Sequence, residues 1–409
     1  MSARPKLNVA LVGAGFLART RARCWRRVYG VDVQLRAVVT RGAADGKAFA
    51  AEHGIAKAVT GLDAVLSDRA IDVVDLCVPN HLHRPFTEAA AAAGKAVICT
   101  KPLTAYVGQD QLDDPGSLDP DAVAATDRAR MLEIATADAE AMVKACGAAK
   151  VPLLYGENWL FAPAVQRASE LLASSDGVLL EMRGHEAHSG SHSAFSKNWN
   201  HTGGGALLRL GAHPIGAMLW LKRLEGMRRD GKPVRVASVT GTVADPTRHA
   251  GLTADNTAVA TGWRGVESFG SVTMHFEDGS VGVAHGSDLS LGGMESRLSL
   301  LASNSHLECS LSPHDQLRTH APADGTFGEA YVMEKASGQA GWNTAIPDED
   351  ESSGQQAMCQ VFSEILGTGD HEFAALVGCD GTLGAEVVRV VYSAYLSAAE
   401  GRAVVLDGS

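Results

Sequence analysis

From Leu7 to about Tyr155 the apolar positions fall into short Val, Leu and Ile runs separated by amphipathic stretches. The runs "LNVALVG", "VQLRAVVT", "VVDLCV", "AVIC" and "VPLLY" read as buried strands. Between them, helical spacing predicts helices over Phe16–Val28, Ala43–His53, His83–Ala93 and Arg128–Cys146, ending near Gly30, Gly54, Gly94 and Gly147, where glycine suits a C-terminal cap. Alternation of this kind means βαβ units and a parallel sheet. The stretch from Thr104 to Asp127 interrupts it: rich in Asp, Gly and Pro, it has no sustained apolar period where a tight strand-to-helix connection belongs. It reads as an exposed acidic insertion, either a solvated loop or a lid or subunit contact.

After Tyr155 the pattern changes. One helix is expected over Ala162–Ala173 and another over Leu207–Lys222, with a glycine- and histidine-rich segment between them. Period-two alternation then runs through "VRVASVTGTV", "SFGSVTMHF", "SVGVAHGSDL", "SRLSLLAS" and "SHLECSL", the pattern of a largely antiparallel sheet. Helices over Gln355–Leu366 and Cys379–Glu400 are expected to pack back against the body. The chain is thus read as two domains, 1–155 with a parallel α/β sheet and an insertion at about 104–127, and 156–409 with an α+β fold.

The 409 residues, 45% hydrophobic and 20% charged, provide for two cores. A formal charge of -11 would repel phosphate backbones and anionic lipid, so nucleic acid and membrane surfaces are not expected partners. Seven cysteines without a CxxC pair support neither a disulfide framework nor a zinc site, and fit a reducing cytoplasm. No apolar run approaches the roughly 20 residues of a bilayer span, and "MSARPKLNVALVGAG" shows no signal-peptide cleavage pattern.

"GAGFLA", Gly13 to Ala18, follows the first strand and opens the first helix. Its Gly13, Gly15, Phe16 and Leu17 are the candidate cradle for a dinucleotide pyrophosphate, since glycine permits the tight turn and close backbone approach. The second strand ends "VVTRG", without the acid that bonds the ribose hydroxyls of NAD. Thr40 and Arg41 suit a 2'-phosphate, so NADP is favoured over NAD, the alternative being that Arg41 covers the adenine or is merely solvated.

"CVPNHLHRPFTEAAAAAGKAVICTKPL", Cys77 to Leu103, ends in a lysine beside a proline directly after a core strand. Ligands of α/β sheets bind at the carboxyl ends of strands, and Pro102 constrains the backbone that aims Lys101. With the glycine turn, "ENWLFAPAV" from Glu157 and "GGGALLRLGAHPIG" from Gly203, the chain resembles the Gfo/Idh/MocA family, named for glucose-fructose oxidoreductase and inositol dehydrogenase, over essentially its whole length. The resemblance implies a Rossmann domain, a nucleotide pocket shaped by Val78, Pro79, Asn80 and His83, and a Lys101 that contacts nicotinamide and substrate. It also marks departures. Thr100 stands where the family usually has Glu, and Arg209 stands where it commonly has Asp, four residues before His213.

On a helix, Arg209 and His213 would share a face toward the cleft. His213 is the candidate for proton transfer, or a satisfied core histidine. Arg209 either binds a substrate carboxylate, phosphate or sulfonate, or forms an internal pair with an acid such as Glu157 or Glu181. "RGHEAHSGSHSAFSKNWNH", from Arg183, supplies His188, His192 and Trp199 as a polar and aromatic sugar surface, and Asn158 is placed at the cleft wall. No metal is expected, His188 and His192 lacking a nearby acid pattern.

The expectation is an NAD(P)-dependent oxidoreductase acting on a sugar, cyclitol or related polyol, with Lys101 polarising the oxygen and His213 shuttling the proton. A glycosidase working by transient sugar oxidation and a nucleotide-sensing regulator are the competing readings. Self-association as a dimer or tetramer is expected, through the open face of the second sheet.

Overall fold

The computed structural model describes residues 4–112, 114–191, 193–328, 335, 338–369 and 378–406. Its first sheet holds β1 (Lys6–Val12), β2 (Asp32–Val39), β3 (Lys57–Val59), β4 (Val73–Leu76), β5 (Ala96–Thr100) and β6 (Leu153–Gly156). All pairings are parallel, in the order β3-β2-β1-β4-β5-β6. The order reverses beside β1, which opens a crevice at the carboxyl ends of β1 and β4. Helices α1 (Phe16–Arg26), α2 (Ala43–Glu52), α3 (His83–Ala92) and α4 (Arg128–Ala149) fill the connections, each close to its expected span. The aspartate inside the apolar β4 is matched from below: Asp75 accepts from Trp25 Nε1 at 2.9 Å and faces the fully buried Arg21 at 3.8 Å.

The second sheet is mixed, mostly antiparallel, in the order β12-β11-β7-β10-β9-β8-β15. The alternating runs form β8 (Val236–Ala244), β9 (Phe269–Phe276), β10 (Val281–Ser287), β11 (Glu295–Ala302) and β12 (His306–Ser310). One strand was not anticipated: Leu179–Ala187, in the histidine-rich segment, is β7 and pairs parallel with β10 in the middle of the sheet. Its polar residues hid the pattern, because the inward positions Gly184 and Glu186 are not apolar. The short β15 (Val404–Val405) closes one edge, and β13 (Arg318–Ala321) pairs with β14 (Gly341–Thr344) apart from the sheet.

Helix α5 (Pro163–Ser175) follows β6, and α6 (Ala212–Asp230) crosses the inner face of the second sheet. Helix α7 (Gln355–Thr368) packs on α1 and β1, and α8 (Gly381–Glu400) lies between α4 and β8, so both return to the body. The 104–127 stretch is not uniformly exposed. Thr104, Ala105, Tyr106 and Val107 are buried, with the Tyr106 N–H donating to Tyr392 Oη at 2.6 Å. The remainder is held from outside. Asn200 Nδ2 donates to Gly116 O at 3.0 Å and Leu118 O at 2.9 Å, while Arg264 pairs with Asp119 and Asp121.

Candidate active site

The glycine turn is shaped as a nucleotide cradle requires. Gly13 has φ +116°, and a Cβ there would stand 2.2 Å from Cys77 O, so β1 and β4 can approach only around glycine. A Cβ at Gly15 would meet nothing within 4 Å, and α1 starts there without a side-chain cap, leaving open space before its first N–H groups. Phe16 is exposed and Leu17 partly so. These residues fit a dinucleotide pyrophosphate. Thr40 is nearly buried and donates to Gly42 O at 2.8 Å, which shapes the turn into α2. Arg41 is exposed and makes no hydrogen bond or ion pair among the described residues.

On the other side of the turn, Val78, Pro79 and Asn80 line the loop after β4, and Asn80 Nδ2 reaches across to Thr202 O at 2.6 Å. His83 is a brace. Its ring lies within hydrogen-bond distance of Val78 O (2.9 Å) through Nε2 and of Pro102 O (3.0 Å) and Leu103 O (3.2 Å) through Nδ1. Burial holds its pKa below the ordinary histidine value, so one nitrogen donates at a time. The loop after β4 is thereby fastened to the one that carries Lys101. Thr100 ends β5 nearly buried, and the Lys101–Pro102 peptide is cis. The Lys101 ammonium donates to the carbonyl of Arg209, which joins the first sheet to the second half of the chain.

The glycine triplet before Arg209 is required by proximity. A Cβ at Gly205 would stand 1.9 Å from Glu267 O, and one at Gly204 2.3 Å from Tyr395 Oη. Glu267 is buried and accepts from Gly205 N, Leu207 N and Tyr395 Oη, each at 2.9 Å. It caps the segment from the side. Residues Leu207–Gly211 form a π-helical turn before α6, so Arg209 and His213 are not presented as an ordinary helix would present them. The expected common face is replaced by two separate clusters.

In one, His213 Nδ1 lies 2.6 Å from Glu157 Oε1, and its Nε2 lies 3.7 Å from Glu186 Oε2, with the ring stacked on Trp159 at 5.7 Å. A carboxylate accepts only, so Nδ1 carries the proton and Nε2 is the basic face. In the other, the Arg209 guanidinium pairs with the fully buried Asp288 and lies over Trp263 at 5.3 Å. The internal partner is therefore Asp288, not Glu157, which holds His213, and not Glu181, which pairs with Arg183 at 2.5 Å on the outer face. Burial raises the Asp288 pKa, with Arg209 pulling the other way.

His188 adjoins this pair. Gly190 N donates to its Nδ1 at 2.9 Å, so that nitrogen bears no proton, and Asp288 Oδ1, 3.5 Å away, is a neighbour rather than its acceptor. Three buried atoms here have no hydrogen-bond partner among the described residues: Arg209 Nε, Asp288 Oδ1 and Glu157 Oε2. Asn158 is buried and donates to Ser353 O at 2.7 Å. Trp199, expected at a sugar surface, is instead packed inside, its indole donating to Tyr106 O at 3.0 Å under the Arg128 guanidinium. His192 lies outside the described residues. Sequence reasoning missed Glu186 and Asp288. Their signal was parity: Glu186 lies near the end of β7 with His188 two residues on, and Asp288 continues the inward alternation of Ala284 and Gly286 on β10.

A crevice with this glycine turn, beside a lysine and a carboxylate-bound histidine on a helix that packs against a second sheet, defines the class of dinucleotide-dependent oxidoreductases. The profile described as "Oxidoreductase family, NAD-binding Rossmann fold" matches residues 7–112, and that of the GFO/IDH/MocA C-terminal domain matches residues 165–308. The chain belongs to the Gfo/Idh/MocA family. It is similar to a D-apiose dehydrogenase of Paraburkholderia graminis, 32% identical over 172 residues that cover 42% of this chain and 36% of that one. It is also similar to D-xylose 1-dehydrogenase (NADP(+)) 2 of Haloferax volcanii, 29% identical over 155 residues, 38% of this chain and 39% of that one. The alignments thus span less than half the length of these relatives. Over the whole chain the fold matches GenD2 from gentamicin A biosynthesis in complex with NAD, with a TM-score of 0.76 at 24% identity, covering 100% of this chain and 98% of that one.

Proposed function

We propose that the protein transfers hydride between a nicotinamide dinucleotide and a hydroxyl-bearing carbon of a neutral sugar or polyol. The observation that carries this reading is the Lys101 ammonium at the end of β5, bonded to the carbonyl of Arg209, with His213 four residues further along the same segment and its Nδ1 bound to Glu157. The nicotinamide, when bound, supplies the hydride chemistry. Gly13, Gly15, Phe16 and Leu17 would hold its pyrophosphate, and Val78, Pro79, Asn80 and Thr100 would border the rest.

Lys101 donates to the substrate oxygen and stabilises negative charge on it. His213 Nε2 takes the hydroxyl proton during oxidation and returns it during reduction, while Glu157 fixes the tautomer and Glu186 faces the imidazolium that forms. Asp288 already neutralises Arg209, which argues for a neutral substrate. The unpartnered Arg209 Nε and Asp288 Oδ1 suit a hydroxyl, which both donates and accepts. The named apiose and xylose dehydrogenases support a sugar. Arg41, exposed after β2, supports NADP over NAD.

The test is a screen of neutral sugars, polyols and their phosphates with both cofactors, read by absorbance of the reduced nicotinamide. Turnover of neutral sugars is expected. Activity confined to phosphorylated or acidic substrates overturns the neutral-substrate reading, and no change of cofactor with any member of the panel counts against the oxidoreductase.

A further inference from the structure

Two histidines from separate stretches meet, and Arg41, after the end of β2 where a nucleotide's adenosine ribose belongs, and Asp114 are close enough for their charges to act on both. Arg41 follows β2, His81 follows β4, Asp114 lies in the 104–127 segment, and His201 lies in the Trp199–Thr202 turn. The two imidazole rings are 6.2 Å apart. The Nδ1 atom of His81 is buried without a hydrogen-bond partner among the described residues. Gly116 lies against His201, so closely that a Cβ there would stand 3.3 Å from Cε1.

The arrangement is built rather than casual. Asn80, next to His81, bonds Thr202, next to His201, at 2.6 Å. Asn200, on the other side of His201, holds the Gly116 and Leu118 carbonyls. The segment that looks like an insertion thus backs His201, and the two imidazoles lie within reach of the charge of Arg41, which follows the strand end that lacks the ribose-binding acid.

We propose that His81 and His201 act with Arg41 as the recognition site for the 2'-phosphate of an NADP-type nucleotide, with the 104–127 segment supporting His201. This rests on the NADP preference proposed above. Burial and the Arg41 charge hold both histidines below their ordinary pKa, His201 and His83 act on His81 in the same direction, and Asp114 opposes. A phosphate set among them shifts the balance toward the imidazolium forms, and each then donates a charge-assisted hydrogen bond.

Calorimetric titration with 2',5'-ADP and 5'-AMP at pH 6 and pH 8 reads this without any substrate. The wild type is expected to bind 2',5'-ADP more than about tenfold tighter than 5'-AMP. His81→Gln and His201→Gln should each weaken 2',5'-ADP by roughly tenfold at pH 6 and by less at pH 8, with 5'-AMP changed less than about twofold. The ratio of wild type to variant cancels the ligand's own titration. Should His201→Gln lose 5'-AMP as well, His201→Asn replaces it. If the wild type prefers 2',5'-ADP and both variants keep that preference, the histidine site is wrong while the NADP reading stands. If the wild type shows no preference, the NADP reading fails and the site fails with it.

Discussion

Glu157 and His213 are joined at 2.6 Å between the residue that follows β6 and the first turn of α6, so the candidate base of one half of the chain is oriented by an acid that ends the sheet of the other. The contact needs Gly216, one turn along α6, where a Cβ would press to 3.2 Å on Glu157 Cγ. Replacing Glu157 by Gln keeps the shape but offers Nδ1 either a weaker acceptor or a donor. The latter forces the proton onto Nε2, the face meant to accept. Glu157→Gln is therefore expected to lower turnover by on the order of a hundredfold or more, with cofactor affinity nearly unchanged. Steady-state kinetics beside nucleotide titration checks this, and turnover near the wild-type value would remove His213 from the proton path.

Lys101 donates to Arg209 O, so the protein's own backbone holds its charge at the carboxyl end of β5. Lys101→Met should leave nucleotide affinity within about tenfold and reduce turnover by on the order of a hundredfold or more, because the ammonium matters most to the charge that develops on the oxygen. An equal loss in binding and turnover would instead assign the lysine to nucleotide binding.

Gly205 tests the support of the same segment. Its Cβ would collide with the backbone of Glu267, a contact no rotamer relieves. Gly205→Ala is expected to destabilise the fold by about 3 kcal/mol, the upper part of the range for overpacking, and to impair turnover by moving the π-helical turn that carries Arg209. Thermal unfolding beside kinetics measures both. A variant as stable as the wild type would mean that the segment yields without consequence.

The parallel half was legible because its period was regular, with each strand mostly apolar and a glycine soon after α1, α2 and α3, although Gly147 lies inside α4, which the left-handed Lys150 closes instead. β7 was not, because at Gly184 it packs against Pro214 and Met218, and at Glu186 it carries a buried acid inward, so neither position announces a strand. Lys101 and His213 were recognisable as local motifs. The partners of His213 and Arg209 were not, since Glu157 is 56 residues away from the first and Asp288 79 residues from the second, and only the folded sheet brings them together. The π-helical turn was equally hidden: "ALLRLGAH" satisfies an ordinary helix, and the close approach of Gly211 and Gly286 that accompanies the turn is a tertiary matter.

Arg209 and Asp288 give the last prediction. The arginine side chain is 12% exposed and the aspartate 0%, so each is the other's main compensation for lost water. Removing the cation by Arg209→Met leaves a buried carboxylate without its counter-charge, expected to cost about 3–5 kcal/mol at neutral pH. The loss must depend on pH. Burial already raises the Asp288 pKa in the folded protein, so its contribution to stability is greatest below the unfolded carboxyl value and declines as pH climbs through the folded one. Without Arg209 that pKa rises further, so the deficit of Arg209→Met should be small in acid, where Asp288 is protonated in both proteins, and widen toward neutral pH. The companion Arg209→Met with Asp288→Leu should recover most of it. Because the guanidinium is internally paired, Arg209→Lys should affect neutral and anionic substrates of the same ring alike. Denaturant unfolding across pH, with KM for the two substrates, decides the matter: a deficit independent of pH removes Asp288 as the partner, and a KM increase confined to the anionic substrate restores Arg209 as an anion site.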